Sequence, residues 1–155
     1  MPPEAETGAA AHFRALESLY RHAPINRMFD SELEIASEGI ARIRFTVDEA
    51  VFHAAGAAHG TLYFKMLDDA AFYACNSMVT DHFLLTTAFN LHFTRPIRSG
   101  PVVAEGRWAS GRRRVYVGDA RLIDASGEEA ARGTGTFMRS RIPLASLPGY
   151  RPGGG

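Results

Sequence analysis

The spacing of hydrophobic residues predicts a helix near the start of the chain. Phe13, Leu16 and Tyr20 recur at steps of three and four residues, so they line one face of a helix over residues 9–22. Pro24 follows and is expected to end this helix, because proline cannot continue the hydrogen-bonding pattern.

Alternating hydrophobic and polar residues predict an antiparallel sheet of about six strands. Residues 40–47 alternate cleanly, residues 32–37 alternate weakly, and Gly39 between them suits a tight hairpin turn. Breaks rich in glycine, proline and serine separate the other strand-like segments. These segments span residues 84–94, 102–110, 115–124 and 129–139.

A longer helix is predicted over residues 61–79, between the second and third strands. Its hydrophobic face includes Ala70, Ala71 and Ala74, small side chains that let a curved sheet wrap closely around it. The element order therefore predicts an α+β fold, in which the sheet wraps around one long central helix and an additional helix lies at the N-terminus.

The length of 155 residues suits a single domain. We expect it to span residues 9–141, between a flexible N-terminus at residues 1–8 and a flexible, Pro- and Gly-rich tail at residues 142–155. Lys and Arg number 17, as do Asp and Glu, so the net charge is +0. This balance argues against a general binder of nucleic acid or of an anionic membrane.

Nothing in the sequence points to a metal, a disulfide or export. The single cysteine excludes an intramolecular disulfide, and the six histidines form none of the usual metal-ligand pairs. No hydrophobic run is long enough to cross a membrane, and the N-terminus lacks the pattern of a secretory signal. We therefore expect a cytoplasmic protein without a metal site.

The central helix carries two adjacent aspartates with different predicted surroundings. Asp69 lies on the polar face four residues after Lys65, and an exposed pair of opposite charges explains it. Asp68 lies at the edge of the hydrophobic stripe, near Phe64 and Phe72, where a carboxylate is partly desolvated. Asp68 is either a functional group or a carboxylate that reaches solvent or a backbone amide.

The segment His59-Gly60-Thr61 precedes the same helix. Backbone N–H groups in a first helical turn have no partner within the helix and carry the positive end of its dipole. They suit an oxyanion or a polarised carbonyl. The alternative interpretation is an ordinary glycine at a loop-to-helix junction.

Together these residues resemble the hotdog-fold acyl-CoA thioesterases of the phenylacetate-degradation (PaaI-like) type. In the stretch FHAAGAAHGTLYFKMLDDAAFYACNSMV, the His-Gly motif matches and Leu67-Asp68-Asp69-Ala70 places the family's aspartate on Asp68. Downstream, FNLHFTRPIRSG resembles the family's strand that ends in an aromatic residue, Arg-Pro and Gly. The resemblance covers residues 25–140. Two positions differ, because Thr61 replaces the second glycine of His-Gly-Gly and His53 replaces the usual asparagine.

The resemblance implies hydrolysis of an aliphatic or aromatic acyl-CoA thioester to the free acid and CoA. No cofactor is implied, because CoA is part of the substrate. Asp68 would act as a general base on water or as a nucleophile. Further residues implied at the reaction centre, through backbone amides or side chains, are His53, His59, Gly60, Thr61, Thr86 and, as the next choice, Thr87.

The position of Asp68 along its helix adds an independent constraint. Thr61 and Asp68 are separated by about 10 Å along a helix axis, whereas one reaction centre needs both groups within about 3 Å of its atoms. Asp68 and the amide donors are therefore expected to come from different subunits. The resemblance implies the same arrangement, a homodimer or homotetramer with its sites at subunit interfaces.

Contacts with the rest of the substrate are less defined. Phe64 on the central helix is a candidate substrate-binding residue, as is Thr87. Arg112 and Arg113 could pair with the CoA phosphates, although a solvated hairpin is the favoured interpretation of either arginine. Cys75 is interpreted as a buried, inert thiol.

Other functions stay open. A non-catalytic acyl-CoA-binding hotdog module does not need Asp68, and the residues at positions 61 and 53 favour it. A hotdog dehydratase is a weaker alternative, because no stretch like Asp-x-Asn-Pro-x-His precedes the central helix. Another hotdog thioesterase lineage carries its aspartate in the loop before that helix, where Asp48 is the nearest candidate and ranks below Asp68.

Overall fold

A computed structural model describes residues 8–152. It confirms the predicted α+β architecture, with a six-stranded antiparallel sheet around one long helix and a second helix before the first strand. The helices are α1 (Gly8–His22) and α2 (Gly60–Asn76), and the strands are β1 (Ser31–Ser37), β2 (Ile40–Val47), β3 (His82–Phe93), β4 (Gly100–Ser110), β5 (Val115–Ile123) and β6 (Glu129–Pro143). The flexible N-terminus predicted at residues 1–8 lies outside the described residues except for Gly8.

The strands follow the order β1-β2-β4-β5-β6-β3, and every neighbouring pair is antiparallel. The strand that follows the central helix therefore lies at one edge of the sheet. It pairs with β6 on one side only, so its other edge has no strand partner within residues 8–152. Its register shifts between Thr86 and Ala88, which marks a bulge at the middle of the strand.

Helix α2 lies unusually close to the middle of the sheet, because glycines face it there. A Cβ atom on Gly106 of β4 would lie 2.0 Å from the Ala70 carbonyl oxygen. A Cβ on Gly118 of β5 would lie 2.9 Å from Cys75 Sγ. Small residues on both sides thus allow the close wrapping that the alanines of the helix predict.

The structure confirms the predicted Lys65–Asp69 pair, but its predicted exposure is wrong, because the polar side of α2 is covered. Lys65 Nζ lies 2.5 Å from Asp69 Oδ2 and also donates to Asn26 Oδ1. The same ammonium lies 5.1 Å from the ring centroids of both Tyr20 and Phe29. Helix α1 and the segment after it supply this cover, and helical periodicity alone cannot reveal which neighbouring element packs on a polar face.

Helix α2 ends earlier than predicted, because Asn76 turns its side chain to the following segment. Its Nδ2 donates to the Val79 and His82 carbonyls, and its Oδ1 accepts from the Leu84 amide at 2.9 Å. One buried amide side chain thereby fixes the start of β3 against the end of the helix.

The C-terminal segment also differs from its prediction. Strand β6 continues to Pro143, Leu144 is fully buried, and the Tyr150 hydroxyl lies 2.6 Å from His12 Nδ1 on α1. Residues 142–150, part of the tail predicted to be flexible, therefore pack on the domain. No helix within the described range is long and apolar enough to cross a membrane.

Candidate active site

Asp68 and Thr86 meet where α2 passes the bulge of the edge strand. Thr86 Oγ1 donates a hydrogen bond of 2.9 Å to Asp68 Oδ1. The bulge directly follows Thr86, and the strand turns this hydroxyl toward the helix. The structure thus brings together the two side chains that were predicted to act on the attacking water.

The surroundings of Asp68 make its carboxylate more basic than usual. Burial raises the pKa of Asp68 to about 6, and the Thr86 hydrogen bond opposes that rise. The charge of Asp69 raises the same pKa, whereas that of Lys65 lowers it. A group with such a pKa is ionised at neutral pH and still accepts a proton readily, as a general base must.

Aromatic side chains line the open side of α2 next to Asp68. Phe64 is 41% exposed, and its ring packs edge-on against Phe89 of β3 with centroids 5.8 Å apart. On the other side of Asp68, the ring of Phe72 packs against that of Phe83, with ring centroids 5.1 Å apart. We call the surface formed by Phe64, Asp68, Thr86 and Phe89 the β3 groove. The sequence analysis did not include Phe89 among the site residues. Its alternation with Leu91 and Phe93 does indicate that these three side chains lie on one face of β3.

The N-terminus of α2 offers one free amide rather than two. His59 Nδ1 accepts a hydrogen bond of 3.0 Å from the Thr61 N–H and also contacts the Thr61 hydroxyl. The Gly60 N–H has no partner among the described residues. Because Nδ1 accepts this bond, the proton of neutral His59 lies on Nε2, where it can be donated outward.

The other predicted polar site residues form no hydrogen bond with Asp68 among the described residues. His53 Nδ1 accepts from the Ala55 amide at 3.0 Å and so holds the loop before α2. Thr87 Oγ1 lies 2.9 Å from Thr136 Oγ1 of β6. Arg112 stacks over the ring of Trp108 at 4.3 Å in the β4–β5 hairpin.

Arg113 is exposed in the same hairpin. Within residues 8–152, no group of three His, Cys, Asp or Glu side chains is placed to hold a metal ion. The Cys75 thiol is buried, and burial raises its pKa to about 12, so it is a poor nucleophile.

Comparison with known proteins relates this geometry to one family. The sequence model of the thioesterase superfamily matches residues 55–131, which include the whole of α2, β3, β4 and β5. A candidate esterase of Saccharolobus solfataricus is 25% identical over 123 residues, covering 79% of this chain and 82% of that protein.

Solved structures share the fold over most of the chain. PaaI of E. coli, from the phenylacetic acid degradation operon, has a TM-score of 0.80 at 20% identity and covers 88% of this chain and 99% of its own. A thioesterase of Haemophilus influenzae has a TM-score of 0.73 at 17% identity, covering 86% and 92%. Residues 55–131 therefore match the thioesterase superfamily, and the protein is a thioester hydrolase with the hotdog fold of PaaI-like proteins.

Proposed function

We propose that the protein hydrolyses an acyl-CoA thioester to the free acid and CoA, and that Asp68 is the base. The observation that carries this proposal is the hydrogen bond between Thr86 and a half-buried Asp68 in the aromatic β3 groove. A carboxylate held in this way can take a proton from water without a metal or a histidine partner.

The reaction follows from these groups. Asp68 takes a proton from a water molecule as the water oxygen attacks the thioester carbonyl carbon. The tetrahedral oxyanion accepts hydrogen bonds from the Gly60 N–H and the His59 Nε2–H, which lie at the positive end of the α2 dipole. Collapse of the intermediate breaks the C–S bond, and Asp68 returns its proton to the departing CoA thiolate. Direct attack by Asp68 through a mixed anhydride is the alternative route.

One subunit does not supply both parts of this site. Gly60 begins α2 and Asp68 lies beyond its second turn, so the two groups are about 12 Å apart along the axis. We propose that Asp68 of one subunit faces the Gly60 end of α2 in another. The unpaired edge of β3 is the place for that contact, since Leu85 and Phe93 on this strand are 47% and 54% exposed.

The β3 groove is the proposed acyl site, with Phe64 and Phe89 as its walls. Arg112 and Arg113 are both exposed and stay proposed contacts of the CoA phosphates. The stacking of Arg112 on Trp108 does not by itself support that role. The cytoplasmic location stays a prediction.

A non-catalytic acyl-CoA-binding module is the second candidate. One observation favours it, because the Thr61 amide that would help to polarise the carbonyl is bound by His59. Asp68 argues against it, since a module that only binds gains nothing from a partly desolvated carboxylate.

Release of free thiol from short-chain, long-chain and aromatic acyl-CoAs tests the proposal. We expect turnover by the wild type and a loss of about 10²–10⁴-fold in kcat for Asp68→Asn. The matched control is Asp48→Asn, which alters the loop aspartate whose side chain accepts a bond from the Ala50 amide. Equal rates for Asp68→Asn and wild type would contradict the role of Asp68, and a loss confined to Asp48→Asn would move the base to the loop.

A further inference from the structure

A cavity on the outer face of the sheet lies away from the β3 groove. It has a volume of about 790 Å³ and lies on the face of the sheet opposite α2. Its walls are arginine side chains from four different strands, and its floor includes the backbone of Gly106 and Gly133. We call it the arginine cavity, defined by Arg42, Arg107, Arg121 and Arg132.

The strand register places three of these arginines, Arg42, Arg121 and Arg132, in one row across the sheet, and Arg107 lies in the next row, opposite Asp119. Arg42 lies opposite Glu105, Glu105 opposite Arg121, and Arg121 opposite Arg132. His92 of β3 lies opposite Arg132 and extends the row to the edge strand. Two arginines directly opposite each other are unfavourable in a sheet unless an anion lies between them.

The carboxylates of the cavity do not fill that place. Glu105 binds Arg121 at 2.8 Å, but Glu105 lies on β4, whereas Arg132 lies on β6, on the other side of Arg121. Asp119 Oδ1 accepts a hydrogen bond of 2.7 Å from the Thr134 hydroxyl. Arg107 has no ion pair among residues 8–152. The lining thus holds four guanidinium groups and two carboxylates, a difference of two positive charges.

Acidic side chains at the rim reduce this excess without removing it. Glu129 binds Arg132 at 2.9 Å, and Glu34 lies 3.9 Å from Arg42 but is held by Arg44 at 2.7 Å. Each guanidinium has five N–H donors, so one carboxylate contact leaves others free to face the cavity.

We propose that the arginine cavity binds a phosphorylated small molecule of about mononucleotide size. Planar guanidinium forks match phosphate oxygens and form two parallel hydrogen bonds with them. The volume lies within the range of about 300–1,000 Å³ that small-molecule sites occupy. Asn90 and Thr134 on the lining add uncharged hydrogen-bonding groups. This site is separate from Asp68, because the sheet lies between them.

Calorimetric titration of the full chain at low ionic strength tests the proposal, with ADP, inorganic phosphate, free CoA and adenosine as separate probes. We expect ADP to bind and adenosine, which has no phosphate, not to bind. Binding by free CoA, but not by ADP or phosphate, would assign the phosphate recognition to the substrate site and overturn the proposal.

Variants locate the bound phosphate. In Arg121→Gln/Arg132→Gln, we expect ADP binding to weaken by about tenfold or more. Arg141→Gln is the matched control, since Arg141 is an exposed arginine outside the cavity. The affinity of this variant for ADP should change by less than about twofold. Thioester hydrolysis verifies the fold of each variant, and Arg107→Gln replaces the double variant if that variant does not fold.

Three results would overturn the proposal. The first is equal ADP affinity in the double variant and the wild type. The second is the absence of binding by the wild type at about 1 mM ADP. The third is a change of molecular mass in the double variant, which would make this face a contact between copies of the chain.

Discussion

Two neighbouring aspartates of one helix have different surroundings because different elements pack on them. Periodicity placed Asp68 at the edge of the hydrophobic stripe, and the structure gives it the partner Thr86. The same periodicity did not predict the burial of Asp69, which depends on α1. Lys65 pairs with Asp69, as the four-residue spacing predicted, and the contact of Lys65 with Asn26 shows the tertiary cover that the spacing did not reveal.

The pH dependence of hydrolysis follows from the Asp68–Thr86 hydrogen bond. The base must be ionised, so the rate should rise with pH through the pKa of Asp68, about 6. Thr86→Val removes a donor that stabilises the carboxylate, so this pKa rises and the acid limb moves up by about one pH unit. The variant should therefore lose more activity at low pH than at high pH.

Thr86→Ser is the control for this measurement, since it keeps the hydroxyl and should keep the wild-type limb. Profiles of kcat/KM against pH for the three proteins give the answer. An unshifted limb in Thr86→Val would mean that this hydroxyl does not tune the base.

At the scale of elements, the order of helices and strands was predictable, whereas several ends were not. Alternation and helical periodicity identify all six strands and both helices, because each has one face in the core. The end of α2 depends on Asn76, and the packing of the C-terminal segment depends on Tyr150 and His12. Such contacts join distant parts of the chain, so local patterns do not contain them.

The close contact between α2 and β4 predicts a large loss of stability for Gly106→Ala. The added Cβ would overlap the backbone of Ala70, and neither element can move without disturbing the rest of the core. We expect the free energy of unfolding to fall by about 3 kcal/mol or more, measured by urea denaturation.

Gly8→Ala provides the comparison, because a Cβ there has no atom within 4 Å. It should leave the stability within about 0.5 kcal/mol of wild type or raise it slightly. A tolerated Gly106→Ala would show that the sheet can retreat from the helix.

At the scale of the whole molecule, the proposed site needs a second copy of the chain. Asp68 and the free Gly60 amide lie on one rigid helix and cannot approach each other. Gly60→Pro removes the amide N–H at a helical position that accepts proline, and we expect a marked loss of kcat. Gly60→Ala keeps the N–H, and its Cβ meets Phe93 at an acceptable 3.4 Å, so it serves as the control.

Mixing two inactive variants tests whether the site is shared. Asp68→Asn and Gly60→Pro subunits, unfolded together and refolded in equal amounts, form mixed dimers with one intact site. Random pairing should restore about a quarter of the wild-type activity. No recovery in mixed dimers of verified mass would place both groups in a single subunit.

The contact of Gly106 with Ala70 also bears on efforts to change which thioesters are cleaved. Because α2 packs directly against the backbone of the sheet at this point, it cannot move to make room for a bulkier acyl chain. Libraries for directed evolution of the proposed acyl site therefore belong on the free side of the helix, at Phe64, and along the edge strand, at Phe89. A smaller side chain at either position opens volume without displacing the helix.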